Sequence, residues 1–248
     1  YKVLCNDILT FAGLAMMLIA LFMKIKLSGG TMLIITTIMC ALGTVFNGVD
    51  VQNPLGNIFL GYLIGTEDAA GLVLSDFPLF NWMIFPTFGY AFAAVLKRVK
   101  DKKLFYLTVS LPAIIIAIVY FSYGITHEVG MFGEGQNCYY HMIFTDVLAS
   151  LTLTVGMAGV NYLILQILPH KVFYIAWTIS ENITAVYFTH WVLVSLIVNV
   201  LIYIVRGTTE LAPGIVMILG SAISIVSIII GYYWNKCVNR RRVNAKTT

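Results

Sequence analysis

Seven runs of apolar residues divide the chain, at approximately 7–25, 31–48, 78–97, 104–123, 142–167, 182–205 and 212–235. Each is close to the roughly 20 mostly apolar residues that a helix needs to cross a bilayer. Polar and charged residues collect between the runs. The pattern predicts an all-α fold, a polytopic transmembrane helical bundle of about seven helices, forming a single integral-membrane domain over residues 1–248. Helices follow because hydrocarbon offers the backbone no hydrogen-bond partners. No stretch reads as a soluble domain, a low-complexity tract or an internal repeat.

Composition strengthens this reading. The chain is 60% hydrophobic and 10% charged, with mean hydropathy +0.90, against about 25% charged residues in a soluble domain. Its expected partner is the lipid bilayer, and its expected place is a plasma membrane of the bacterial inner-membrane type. Charge placement sets the orientation. Of the 15 Lys and Arg residues, all but Lys2 and Arg206 fall on one side: Lys24, Lys26, the Lys97–Lys103 cluster, Lys171 and the tail from Lys236 to Lys246. The positive-inside rule makes that side, and the C-terminus with it, cytoplasmic. Asp50, Glu67, Asp68, Asp76, Glu128, Glu134 and Glu210 fall at the opposite side. The net charge of +4 therefore reports topology, and nucleic acid is not an expected partner.

The chain begins YKVLCNDILTF, without Met or signal peptide. This topology puts Tyr1 outside, so the expectation is the C-terminal part of a longer protein of about ten helices. Cys5 and Cys138 both fall near the outer face, where two free thiols or a disulfide are both open readings. No CxxC or His/Cys cluster suggests a metal.

Candidate chemistry sits in three places. The first is DFPLFNWMIFPTFGY, residues 76–90. Asp76 and Pro78 suit a helix start, since an acid favours the dipole and Pro is tolerated in the first turn. Trp82 suits the headgroup level. Pro86, a third of the way in, frees a carbonyl and predicts a kink, with polar Asn81 beside it. Just before, the apolar piece 55–64 is too short to span and reads as an interfacial connector or as a re-entrant lid over an outward cavity. The second place is the glycine-rich loop 124–146, with Tyr140, with His141 opening the fifth helix, and with Asp146 in its first turns. His141 reads as a solvated boundary residue or a general base. Asp146 is the more informative, because an intramembrane acid faces a cavity or a partner. The two stand about 140° apart on an ideal helix, so pairing them requires a bend. The third is ISENITAVYFTHWVL, residues 179–193. Asn182 looks like a capping residue at a helix entry. His190 falls about 12 Å into the helix at 1.5 Å per residue, and reads as a neutral interhelical donor or as a proton-handling group.

These segments resemble a known family. FPLFNWMIFPTFGY followed by KRVKDKK resembles the FPxFPW-type segment of the acyltransferase-3 superfamily, in the branch that includes heparan-α-glucosaminide N-acetyltransferase-like membrane proteins. DILTFAGLAMMLIALFMKIKLS is similar to the DILQ-F-GLA helix of that branch. SENITAVYFTHWVL is similar to its late G-N-S-L-x-I-Y-x-x-H helix, with Asn182, Tyr187 and His190 in matching places. The chain departs from the pattern at Asn81, where Pro is common, and at Glu181, where a small or basic residue is common.

The resemblance implies a membrane-bound acyltransferase. It would move an acyl group, acetyl by preference, from acyl-CoA to a hydroxyl or amine of a glycan or lipid-linked glycan. Acetyl-CoA is then a co-substrate, with no bound cofactor and no metal. The family's catalytic residues in early helices would precede Tyr1. Within this chain the candidates are His141, His190 and Asp146 for catalysis, and Asp76, Asn81, Trp82, Tyr140, Asn182 and Tyr187 for the acceptor. Lys97, Arg98 and Lys100 would attract the polyanionic donor, beside their role as topology determinants. The rival reading is a multi-pass transporter or flippase using the same kinked helix and buried polar groups as a pathway. A non-catalytic assembly protein is a third.

Overall fold

The computed structural model describes residues 4–6, 8–49, 51, 53–66, 73–133, 139–208 and 211–244. The chain forms two compact units, Tyr1–Gln166 and Ile167–Thr248. Among the described residues, five helices are long and apolar enough to cross a membrane by length and composition: Leu79–Leu96, Lys102–Phe132, Phe144–Ile167, Ile183–Arg206 and Gly214–Trp234. Three shorter apolar helices accompany them.

In the first unit, α1 spans Ile8–Lys24 and α2 spans Gly29–Val45. At 17 residues each they fall short of the length the hydropathy runs suggested. Ser28 starts α2 by accepting from the Thr31 amide. α3 (Pro54–Ile64) is the apolar piece too short to span. Asn53 caps its start, Pro54 fills the first position, and Gly65 ends it in the left-handed region with φ 84°. The kinked helix is split into α4 (Leu79–Trp82) and α5 (Ile84–Leu96), with the break at Met83. Pro86 is the physical cause, since it has no N–H for the Trp82 carbonyl. α6 (Lys102–His127) carries Pro112 internally and is capped by Asp101, which accepts from the Leu104 amide. A 3-10 turn (Gly130–Phe132) leads on towards α7 (Phe144–Ile167).

The chain is helical as expected, with one small addition. β1 (Leu4–Asn6) and β2 (Val73–Ser75) pair in parallel, with Leu4 opposite Val73 and Asn6 opposite Ser75. Three-residue strands carry too little alternation to register as a pattern in the sequence.

The core of this unit is layered along α2. Ala15, Phe22, Met32 and Met83 form one buried cluster, and Cys40, Ile84, Met142, Val147 and Leu151 form another. α2 and α4–α5 run antiparallel: Gly29 meets Tyr90 at one end and Gly43 meets Phe80 and Asn81 at the other. Thr36 and Thr87, both buried, share a 2.7 Å hydrogen bond between α2 and α5. The end marked by Gly29 and Tyr90 also carries exposed Lys24, Lys26, Lys97, Arg98 and Lys100. The opposite end carries Asp76 and Asp146.

In the second unit, α8 (His170–Glu181), not foreseen from the hydropathy runs, meets α9 (Ile183–Val194) at Asn182. α9 continues through a π-helical stretch, Ser195–Ile202, into α10 (Tyr203–Arg206). Gly207 then turns the chain with φ 70°. α11 (Pro213–Asn244) returns alongside α9, and its last turns extend past the apolar window into the basic tail. The backbones approach closely at Gly231, where an added β-carbon would lie 3.0 Å from the Val186 nitrogen.

Candidate functional site

At the acidic end of the first unit, three chain segments are stitched together by side chains that bond to backbone. Asn81, 1% exposed, donates from Nδ2 to the Met142 carbonyl at 2.8 Å. Trp82 Nε1 donates to the Tyr140 carbonyl at 2.8 Å. His141 Nε2 lies 2.6 Å from the Ser75 carbonyl. Successive residues 140–142 are thus each held, two by the start of the kinked helix and one by β2. The punctuation in LFNW has a physical explanation: two adjacent polar side chains leave the helix just before the Pro86 break and fasten the loop that precedes α7.

The His141 contact also fixes a proton. A carbonyl can only accept, so Nε2 carries the hydrogen. In the neutral imidazole Nδ1 then holds the free lone pair. Ser75 is fully buried and its own Oγ donates to the Gly61 carbonyl on α3. The carbonyl that orients His141 is therefore itself held by the short apolar helix and by the β1–β2 pairing. Gly65 borders the same ring: a β-carbon there would sit 3.2 Å from His141 Nε2 and 3.1 Å from Asn47 Oδ1.

Asp146 is committed elsewhere. It is 1% exposed, and its Oδ1 accepts from the Tyr120 hydroxyl at 2.9 Å. Its Oδ2 accepts from the Ile143 amide at 3.2 Å. The Met131 amide also bonds to it. Since α7 begins at Phe144, the bond to Ile143 is the reach-back half of a capping box, with Asp at the third helical position. The carboxylate ties α6, the 3-10 turn and the start of α7 together. His141 and Asp146, expected as possible partners, are oriented by different groups: Ser75 for one, Tyr120 and amides for the other.

Beside this junction lies an open cavity of about 400 Å³, lined by Trp82, Phe85, Phe132, Tyr139, Met142 and Thr154 among others. Its aromatic wall is continuous: Trp82 packs on Phe77 at 4.7 Å, on Phe85 at 5.3 Å and on Tyr139 at 6.4 Å between ring centroids. Phe77 in turn packs on Tyr140 at 5.4 Å. Asn81 is buried behind this wall. Its Oδ1 has no hydrogen-bond partner among the described residues and rests where a β-carbon on Gly43 would be. That geometry is a Cα–H···O contact across the α2–α4 crossing.

The remaining predicted residues lie apart from this cavity. Asp76 stands partly buried between β2 and α4. Lys97, Arg98 and Lys100 are exposed at the opposite end of the unit. Asn182, 8% exposed, donates to the Thr178 carbonyl and makes no side-chain cap on α9. The expected capping role is thus replaced by a bond back into α8, because the chain is already helical when it arrives. Tyr187 and His190 are partly exposed on α9. The proposed pairing of Cys5 with Cys138 falls outside the described residues, since residue 138 is not among them; Cys40 is a buried free thiol and Cys237 an exposed one. Among the described residues no group of three or more His, Cys, Asp or Glu could hold a metal.

Sequence reading missed Ser75, Gly65, Tyr120 and Gly43. Only the last two carry a signal there, a Tyr within an apolar span and a Gly within a helix. Comparison with family models, with curated proteins and with solved structures found no match to this chain.

Proposed function

We propose that this chain, with about seven helices and a cytoplasmic C-terminus, is a membrane-bound acyltransferase. It would transfer an acetyl or related acyl group from acyl-CoA to a hydroxyl or amine of a glycan or lipid-linked glycan. The three segments that resemble the acyltransferase-3 superfamily support this reading, and one observation carries it. An open aromatic cleft is lined by Trp82, Phe85, Tyr139 and Met142, and Met142 follows in the chain a His that is held by a backbone carbonyl. Flat aromatic walls suit the C–H faces of sugar rings, and clefts of this size with few polar groups suit small ligands. Trp82 and Tyr139 are the stacking surfaces. His141, adjacent in the chain to Tyr140 and Met142, is the general base.

In this reading Nδ1 of His141 takes the proton from the acceptor hydroxyl or amine. The freed lone pair attacks the thioester carbonyl, the C–S bond breaks, and CoA leaves as a thiolate that is protonated by solvent. Asp146 and Asn81 act by holding the loop, not by touching substrate. The basic residues at the far end attract the CoA phosphates.

The reading is tested by acetyl-CoA in a thermal-unfolding assay on the detergent-purified protein, coupled to free-thiol release with glycan acceptors. Binding to the folded state alone raises stability by about 2.7 kcal/mol at 100 times the dissociation constant. A saturable shift, with thiol release abolished by His141→Ala, is expected. Transport of a glycan into vesicles without thiol release would support the flippase reading instead.

A further inference from the structure

We propose that the groove between α9 and α11 in the second unit is a binding site for a single phospholipid whose headgroup carries a primary amine. The groove has a volume of about 650 Å³. One wall is a stripe along α9, Thr184, Ala185, Phe188, Thr189 and Val192, with Glu181 at the end of α8 and Asn182 at the α8–α9 junction forming its entrance. Within α9 the spacing of one, four, five and eight residues from Thr184 keeps the stripe on one helical face. The other wall is Ile230 and Trp234 of α11.

Three properties select the occupant. The first is length. From Thr184 to Leu193, the last lining residue, the α9 wall rises about 14 Å at 1.5 Å per residue. That is close to one half of a hydrocarbon core about 30 Å thick. The groove therefore matches the chain of a lipid in one leaflet, entering from one face. The second is polarity. Apart from the threonine hydroxyls, the wall beyond the entrance is apolar, and Phe188 and Trp234 are each 66% exposed to whatever fills it. The third is charge. α9 and α11 run antiparallel, so Glu181, Trp234 and Lys236 share one end. Glu181 is exposed at the mouth of the groove. An acid at the mouth complements a headgroup that carries an ammonium. It disfavours a headgroup that brings only negative charge. Trp234 marks the interfacial level at which such headgroups lie.

The two helices approach closely where Gly231 meets the Val186 backbone. No group of the acceptor cleft contributes, so this site stands or falls independently of the acyltransferase reading.

The test is native mass spectrometry of the delipidated, detergent-purified protein, titrated with phosphatidylethanolamine and phosphatidylglycerol of identical chains. The expected result is one tightly held phosphatidylethanolamine, with phosphatidylglycerol weaker by about five-fold, the scale of one accessible ion pair. Glu181→Gln should remove that preference. Ala185→Phe, which fills the groove, should lower the affinity for both lipids while the melting temperature stays within the error of wild type. Equal binding of the two lipids to the wild type would overturn the assignment. So would a preference that survives Glu181→Gln, or a groove closed by a second copy of the chain, seen as a dimer that binds no lipid.

Discussion

The contact between Gly43 and Asn81 yields a sharp prediction. Replacing Gly43 with Ala places a methyl group onto Asn81 Oδ1 and 2.9 Å from the Phe80 β-carbon. Neither neighbour can turn away. Asn81 is fixed through Nδ2 by the Met142 carbonyl, and the Phe80 contact is at the root of its side chain. Either α2 and α4 move apart or the Asn81 bond breaks. Overpacking of a tight interior costs about 1–3 kcal/mol, and a buried carbonyl left without its donor costs about 1–3 kcal/mol more. A loss near 3 kcal/mol is therefore expected. For a chain of this size that lowers the melting temperature by roughly 6–12 °C, at about 2–4 °C per kcal/mol. Gly13→Ala is the control: nothing lies within 4 Å of its β-carbon position, so the substitution should be neutral or stabilising by up to about 1 kcal/mol through helix propensity. The assay is thermal unfolding in detergent, run as a double-mutant cycle with Asn81→Ala. Removing Oδ1 leaves only the Phe80 contact, so Gly43→Ala should then lose at least about 1 kcal/mol of its effect. If Gly43→Ala melts with the wild type, or its effect is unchanged in the Asn81→Ala background, the crossing is not held as described.

Other perturbations separate structural from chemical roles. Asp146→Asn turns one acceptor oxygen into a donor against backbone amides, and should lower stability by about 1–3 kcal/mol in the same unfolding assay. A variant as stable as wild type but inactive would move Asp146 into the chemistry. Thr36→Val removes one buried interhelical bond, but Thr87 keeps the Met83 and Ile84 carbonyls as partners. A loss of only about 0.6 kcal/mol is expected, the mean for such bonds within membranes, and a loss above 2 kcal/mol would contradict this. Neutralising Lys97, Arg98 and Lys100 together should raise KM for acyl-CoA at low salt, with the difference closing as salt is added. A difference that persists at high salt would mean direct contact with the donor.

Much of the architecture can be read from the residue pattern, and particular residues show where this stops. All seven apolar runs contain helices, because a run of some twenty apolar residues has few alternatives in lipid. The break near Asn81 follows from Pro86. What stayed hidden depends on contacts between distant segments. Ser75 orients His141 through its backbone carbonyl, and a carbonyl leaves no trace in residue identity. Asp146 and His141 look like partners because they are near in sequence, yet each found a better-placed partner, Tyr120 on α6 for one and Ser75 on β2 for the other. Asn182 looked like a cap only because α8, short and less apolar, was invisible to hydropathy. The π-helical turn at Ser195–Ile202 is likewise a choice of hydrogen-bond spacing that its apolar sequence does not announce.

The small parallel ladder has a consequence for the order in which the protein is built. Leu4 cannot find Val73 until α1, α2 and α3 have all left the ribosome. During synthesis the first strand must therefore wait, unpaired, while three helices settle. The His141 anchor waits longer still, since residue 141 emerges only after α6. An insertion machine that released these segments one at a time, far apart in the bilayer, would leave the ladder to a slow search. Retaining the early helices near the exit until β2 arrives makes the encounter local. A ladder of six residues thus ties the start of the chain to a segment made only after α1, α2 and α3.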